Sequence, residues 1–451
     1  MSALARYFRH LGCSIAGYDR VRTKLTIELE VEGMQIHYHE SPELLRQLLQ
    51  GFSKEEILII YTPALPSDGL EFQFFKSSGY LIKKRAEILG GISHRFNTIA
   101  VAGTHGKTTT TTLIAHILKT AEINCFAFLG GISSNYETNL LLGDTKVDEK
   151  TFMVVEADEY DRSFLNLKPQ IAVVTSVDAD HLDIYGDLVA MRESYLAFTR
   201  LLSKTGSLIV QKNVNNALGL IADRFTYGVN LDADFSASNI VVRNGEFYFD
   251  VGSSFSSLEH VVLGIPGRHN VENAMAAIAV AQLLKIESWK IKKALRTFKG
   301  VRRRFDFRIK SECIAFIDDY AHHPEELRAA ISTCRELYPS KKITGIFQPH
   351  LFSRTRDFSA EFSKSLSLLD ECFLLPIYPA RELPIENVNS EMLLKNIDCK
   401  MKMVINGDQI ISFMESHPLE VIITLGAGDI DAIVEPLRVM LKKKYNTDST
   451  N

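Results

Sequence analysis

Short apolar runs recur along this chain, each followed by a polar or glycine-rich turn and then by a stretch with helical spacing. Examples are Glu56-Ile57-Leu58-Ile59-Ile60-Tyr61, Thr98-Ile99-Ala100-Val101-Ala102, Phe152-Met153-Val154-Val155, Ile171-Ala172-Val173-Val174-Thr175, Ile314-Ala315-Phe316-Ile317, Lys342–Phe347 and Val421–Leu425. Continuous apolar runs of this kind read as strands buried on both faces, so the pattern predicts an α/β fold with parallel sheets. At the start, Met1–Gly12 reads as a helix ended by a glycine, and Cys13–Asp19 as a strand with an acid at its end. A helix around Lys84–Leu89 is expected to stop at Gly90-Gly91. A small-residue helix is expected over Ala274–Ala281, with Asn270 and Asn273 at its start either as caps or as amide readers of a base.

Length and composition narrow this picture. A chain of 451 residues exceeds one ordinary core and predicts three domains. The boundaries are placed at 1–92, 93–299 and 300–451. Fifty-one basic and 55 acidic side chains leave a formal charge of -4, which gives no footprint for nucleic acid. Six scattered cysteines without C-x-x-C spacing read as reduced thiols. With no charged-then-apolar leader and no run of transmembrane length, the expectation is a cytoplasmic protein without membrane insertion, a monomer or weak homodimer.

The chemistry concentrates where strands end. After Thr98–Ala102 comes Gly103-Thr104-His105-Gly106-Lys107-Thr108-Thr109, leading into a helical stretch. Two glycines let backbone approach an anion, a helix N-terminus offers N–H groups, Lys107 adds a positive charge, and Thr108 supplies a hydroxyl suited to Mg²⁺. The spacing is two residues tighter than the usual G-x-x-x-x-G-K-[ST] loop. Glu156, at the end of Phe152–Val155, sits where a metal-holding acid belongs, whereas Asp158, Glu159 and Asp161 do not stand out individually. His181, in the polar loop Ser176–Asp183, is a second metal or phosphate candidate.

Further loops repeat the arrangement. Arg302-Arg303-Arg304 forms a basic cluster at a domain boundary, fit for a linker or for polyphosphate. Asp318-Asp319-Tyr320-Ala321-His322-His323-Pro324 follows one strand, Gln348-Pro349-His350-Leu351-Phe352-Ser353-Arg354-Thr355-Arg356 another, and Gly426-Ala427-Gly428-Asp429 a third. Of the adjacent histidines, one is expected to be structural. Ligands held by loops of two successive α/β domains are the simplest account.

These motifs, with Asp180-His181-Leu182-Asp183 and Tyr378-Pro379-Ala380-Arg381-Glu382, closely resemble the Mur ligases of bacterial peptidoglycan synthesis over nearly the whole length. The resemblance implies a Rossmann-like UDP-sugar domain, a central P-loop-type ATPase domain and a C-terminal Rossmann-like domain that serves the amino acid. It implies that ATP phosphorylates the lactyl carboxylate of UDP-N-acetylmuramate and that the amine of L-alanine then attacks the acyl phosphate. Lys107, with Mg²⁺ on Thr108 and Glu156 and a second near His181, would bring the two anions together. Asn270 and Asn273 would contact adenine, Asp318 the ribose, and Arg304 the nucleotide. Tyr320 and His322 would line the amino-acid pocket, with His350, Arg354 and Arg356 near the reacting groups. By the same resemblance, catalysis would need the C-terminal domain to close on the central one.

The rival activities are ligation of an intact tripeptide to the same UDP-sugar and a nucleotide-binding regulatory role, the latter disfavoured by the intact Lys107, Glu156, His181 and arginine loops. Two departures from the family pattern stand out. Met191–Arg200 contains no lysine, so no carbamylated metal ligand is expected there. The first strand and glycine loop of the N-terminal domain are missing, which predicts a split sheet, a chain that is unstable or weak for the UDP-sugar, and a natural start further upstream.

Overall fold

A computed structural model describes the chain except residues 64, 67, 145–146, 180–181, 221–223, 381 and 448–451. It has two compact units, the first made of Met1–Ile132, Tyr136–Phe235 and Ala276–Ile291, the second of Ser133–Asn135, Ser236–Met275 and Lys292–Asn451.

The first unit is built on the buried strand Asn97–Ala102, whose Ile99–Ala102 side chains are fully out of water. It pairs in parallel with Ile171–Val174 on one side and Phe152–Glu156 on the other. Beyond these, Ser207–Gln211 and Arg224–Val229 extend the sheet in one direction, and Cys125–Ser133 and Thr138–Leu141 in the other. After Asn97–Ala102 the chain builds one flank first and then crosses to the other. The carboxyl end of that strand is therefore a topological switch point, where open α/β sheets bind ligands.

The segment leaving it forms the helix Lys107–Thr120, buried on every face from Thr108 to Leu118. Five successive threonines have poor helix propensity, so sheet packing rather than local preference holds this helix. On the opposite flank, Phe164 stacks on Phe198 with centroids 5.1 Å apart and meets Tyr195 edge-on at 5.4 Å. That burial pins the turn after Glu156, because the Phe164 N–H donates back to the Asp158 carbonyl.

The first ninety residues make two separate parallel pairs, Ala16–Tyr18 with Gln35–His37 and Leu58–Tyr61 with Leu81–Lys84. This is the division expected from the sequence, and no residue of these four strands is fully buried. The opening helix runs Ser2–His10, and Arg6 ties it to Glu32 at 2.6 Å and to Asn139 at 2.9 Å.

In the second unit the sheet order is Asp306–Lys310, Ala315–Asp319, Val421–Leu425, Ile343–Phe347, Glu371–Leu374 and Met401–Val404. Only the first pair is antiparallel. One apolar cluster covers each face, including Leu327, Ile331 and Phe362 on one and Ile410, Met414 and Leu437 on the other. All six cysteines are free thiols. Among the described residues, no helix is long and apolar enough to cross a membrane.

Two expected boundaries move. The helix expected to stop at Gly90-Gly91 runs through both, as Arg85–Ser93. A Cβ on Gly90 would stand 2.5 Å from the Asn166 carbonyl oxygen, so this glycine permits close packing rather than ending a helix. The helix expected from Ala274 begins at Arg268, directly after Pro266 and Gly267, whose φ of +110° no other residue adopts easily.

The glycine pair gives a paired test. Gly90→Ala should destabilise by about 1–3 kcal/mol through overpacking. Gly91→Ala, with nothing within 4 Å of its Cβ, should stabilise by about 0.5–1 kcal/mol through helix propensity. Thermal or urea unfolding of both variants decides; equal effects would contradict the packing role of Gly90.

Candidate functional site

In the first unit, Gly103 leaves the strand at a φ of +143° and runs against the neighbouring strand end. A Cβ there would lie 2.0 Å from Thr175 Oγ1 and 2.8 Å from the Ser176 nitrogen. Backbone and hydroxyl bonds lock the approach. Thr104 N–H donates to the Ser176 carbonyl at 3.1 Å, His105 N–H to Ser176 Oγ at 2.7 Å, and Thr175 Oγ1 to the His105 carbonyl at 2.5 Å. Thr104 Oγ1 also accepts from Asp178 N–H at 2.9 Å. Gly106, at a φ of +81°, is the residue before the helix. The first-turn N–H groups of Lys107, Thr108 and Thr109 therefore head a 14-residue helix, a natural seat for phosphate.

Lys107 Nζ is nearly buried and donates to the carbonyls of Gly103 at 2.5 Å and Thr104 at 3.2 Å and to Glu159 Oε1 at 2.8 Å. Burial alone would lower its pKa, but the carboxylates of Glu159 and Glu156 outweigh this and keep the ammonium charged. Burial pushes the Glu159 carboxyl up as well, while the Lys107 ammonium 2.8 Å away opposes this and favours the carboxylate.

Parallel pairing sets Glu156 beside Val101, two residues before the glycine turn. Its Oε2 is buried with no hydrogen-bond partner, and a Cβ on Gly130 would fall 2.0 Å from that oxygen. A hydroxyl from Thr108 and an unpaired carboxylate oxygen are hard donors that fit Mg²⁺. His181, the other expected metal contact, lies outside the described residues. Among the described residues no cluster of three or more His, Cys, Asp or Glu side chains is arranged around a metal position.

Glu159 is the residue that sequence reasoning passed over. Four acids in six positions look alike in a string, and only the turn pinned by Phe164 separates them. Asp158 bonds the Tyr160 N–H, Asp161 points out to Lys84 at 3.1 Å, and Glu159, 1% exposed, turns in to Lys107.

The second unit gathers its own set. Asp319 accepts from Phe305 N–H at 2.7 Å and Ala321 N–H at 2.8 Å, fastening the arginine turn to the strand end. Arg303 and Phe305 adopt positive φ in that turn. The Arg303 and Arg304 guanidinium groups then lie 5.1 and 5.0 Å from the Tyr320 ring centroid. Asp318 is held by Arg303 at 3.3 Å and by the Thr424 hydroxyl at 2.9 Å, and burial raises its pKa although Arg303 opposes this. His322 bonds the Tyr320 carbonyl through Nδ1 at 3.0 Å and meets His350 edge-on at 6.0 Å. His350 in turn stacks on Tyr378, with Arg354 at 3.5 Å from its Nδ1.

The structure thus brings Tyr320, His322, His350 and Arg354 together and leaves Arg356 apart. Residues two apart on the helix Phe352–Asp357 face different ways, and Arg356 is half-exposed, paired with Asp357 at 2.7 Å. Asn270 and Asn273 are buried inside the helix rather than capping it. The Asn270 amide donates to the Pro266 carbonyl at 2.6 Å, and Asn273 donates to Asn270 at 3.2 Å. His323 packs edge-on against Phe358, the structural member of the histidine pair.

Comparison with known proteins covers most of the chain. Residues 1–97 match the description "Mur ligase family, catalytic domain", 101–281 "Mur ligase middle domain", and 303–428 "Mur ligase, glutamate ligase domain". The chain is 45% identical to the UDP-N-acetylmuramate–L-alanine ligase of Parabacteroides distasonis, over 98% of this chain and 95% of the relative. It is 43% identical to that of Cytophaga hutchinsonii, over 99% and 95%. Among solved structures, the UDP-N-acetylmuramate–alanine ligase of Thermotoga maritima superposes with a TM-score of 0.82 at 26% identity, over 98% of this chain and 96% of that one. The murein peptide ligase of Psychrobacter arcticus, at 23% identity and a TM-score of 0.72, shares the fold.

Asp319 offers a test of the second unit. Asp319→Asn leaves one backbone N–H facing an amide donor and should cost about 1–3 kcal/mol. Burial, against the pull of Arg304, raises the Asp319 carboxyl to about 7, above its unfolded value, so wild-type stability from this group falls as pH rises from about 4 to about 7. The stability gap between wild type and variant should narrow over that window and be flat above it. A gap that widens with pH would contradict this.

Proposed function

This chain belongs to the Mur ligase family, and from that premise we infer that it is an ATP-dependent ligase joining L-alanine to the lactyl carboxylate of UDP-N-acetylmuramate. The observation that carries the reading is the Gly103–Thr109 loop at the switch point, in a chain that matches ligases of this name over nearly its full length. The setting is peptidoglycan precursor synthesis in the cytoplasm.

The reaction sets two anions against each other. A carboxylate oxygen of the sugar must attack the γ-phosphorus of ATP, giving an acyl phosphate and ADP. The free amine of L-alanine then adds to the acyl carbon, and inorganic phosphate leaves as the tetrahedral intermediate collapses. Neither negative group approaches the other unless positive charge is fixed beforehand. The helix N-terminus at Lys107 and the Lys107 ammonium supply that charge to the phosphates. Thr108 and Glu156 are the residues that would hold Mg²⁺, with His181 a candidate for a second ion. The metal's contribution when bound is to neutralise the phosphate oxygens.

On the second unit, Tyr320, His322, His350 and Arg354 form the proposed amino-acid pocket. Arg354 and the imidazoles suit the α-carboxylate and leave the amine free to react. Asp318 for the ribose, Arg304 for the phosphates, and Asn270 and Asn273 for adenine complete the proposal.

Two measurements test this function. Phosphate release with ATP, Mg²⁺ and UDP-N-acetylmuramate should depend on L-alanine and be slower with glycine, L-serine or an intact tripeptide. A preference for the tripeptide would move the chain to the recycling activity, and no amine-dependent release would sink the ligase reading. Lys107→Ala should lower kcat by about 10²-fold or more with an unchanged circular dichroism spectrum. Turnover near that of wild type would remove Lys107 from its role.

A further inference from the structure

Lys107 has three ammonium protons, and all three are committed: to the carbonyls of Gly103 and Thr104 and to Glu159 Oε1. A phosphate oxygen can gain a hydrogen bond from this group only by displacing one of those acceptors. The two carbonyls lie in the lysine's own loop, three and four residues back, and the loop is wedged in place by the close passage of Gly103 against Thr175 and Ser176. They stay beside the ammonium as long as the loop keeps its shape. Glu159 stands on a different segment and carries the same sign of charge as the incoming phosphate. The Glu159 bond is therefore the one that yields.

We propose that Glu159 is a positioning residue that holds Lys107 in the nucleotide-free enzyme and releases it to the terminal phosphate of ATP, so that nucleotide entry and opening of this ion pair are a single event. The inference rests on reading the Gly103–Thr109 loop as the ATP site. Glu159 itself stays where it is, because the Tyr185 phenol donates to its backbone carbonyl at 2.6 Å and Phe164 anchors the turn behind it. The lysine moves and the acid does not. Without nucleotide, the pair keeps the ammonium aimed within the loop and covers a charge that is nearly out of water. With nucleotide, the same acid becomes a competitor that weakens binding.

The sign of that competition separates this role from a structural one. Calorimetric titration with a non-hydrolysable ATP analogue and Mg²⁺ compares wild type with Glu159→Gln, which keeps the size and the acceptor oxygen but loses the charge. Removal of the competing charge should tighten binding about fivefold or more, and the KM for ATP should fall in step. An unchanged or weaker affinity in the variant overturns the proposal, since a merely structural acid would give that result. Absence of binding by wild type would overturn the ATP-site reading along with it, whereas wild-type binding without tightening in the variant overturns only the role of Glu159. A structure of the wild-type enzyme with the same analogue gives a test that does not depend on the variant folding. The Lys107–Glu159 contact of 2.8 Å should open beyond hydrogen-bond reach with Lys107 on the terminal phosphate. Persistence of the contact would overturn the proposal.

Discussion

The backbone at Gly103 passes Thr175 and Ser176 so closely that no side chain fits between them, and the chemistry at that end of the sheet follows from this approach. It sets the loop carbonyls against Lys107 and starts the helix one turn later. Parallel register then fixes Glu156 across from Val101 without any further device. Backbone register and the hydroxyls of Thr104, Thr175 and Ser176 together set these positions.

The second unit reaches a similar result by different means. Its strand ends with two successive acids that serve opposite tasks. Asp318 faces Arg303 and Thr424, while Asp319 is spent on two backbone amides and fixes the turn through Phe305. Two arginines are thereby folded over Tyr320, an arrangement that costs left-handed backbone at Arg303 and Phe305. Such strain persists where the surrounding bonds determine it, as the two amide bonds to Asp319 do here.

Much of this was legible in the sequence because it rests on local chemistry. The buried strands, the glycine loop, the lysine and the acid at the end of Phe152–Glu156 are each specified by residues next to one another. The split of the N-terminal strands into two pairs followed from the family resemblance, through the first strand that the chain lacks. What escaped depends on contacts distant in sequence. Gly90 reads as a stop signal until Asn166 is seen against it, and Glu159 is one acid among four until Phe164 orients the turn. The different settings of Arg354 and Arg356 were hidden as well, since a motif written as Arg-x-Arg does not show that helical residues two apart point different ways. Asn270 and Asn273 were misplaced because Pro266 and Gly267 release the helix earlier than the small-residue pattern suggests.

The run of threonines after Lys107 has a bearing on how the protein is made. A helix of poor intrinsic propensity, held by burial against strands that come before and after it, does not persist on an emerging chain. The loop at its head takes shape only when Thr175 and Ser176 have left the ribosome and paired with it. The contact that closes the loop spans 70 residues of sequence. The order of synthesis thus places the closing of this loop well after its own sequence has emerged, once the strand Ile171–Val174 has joined the sheet.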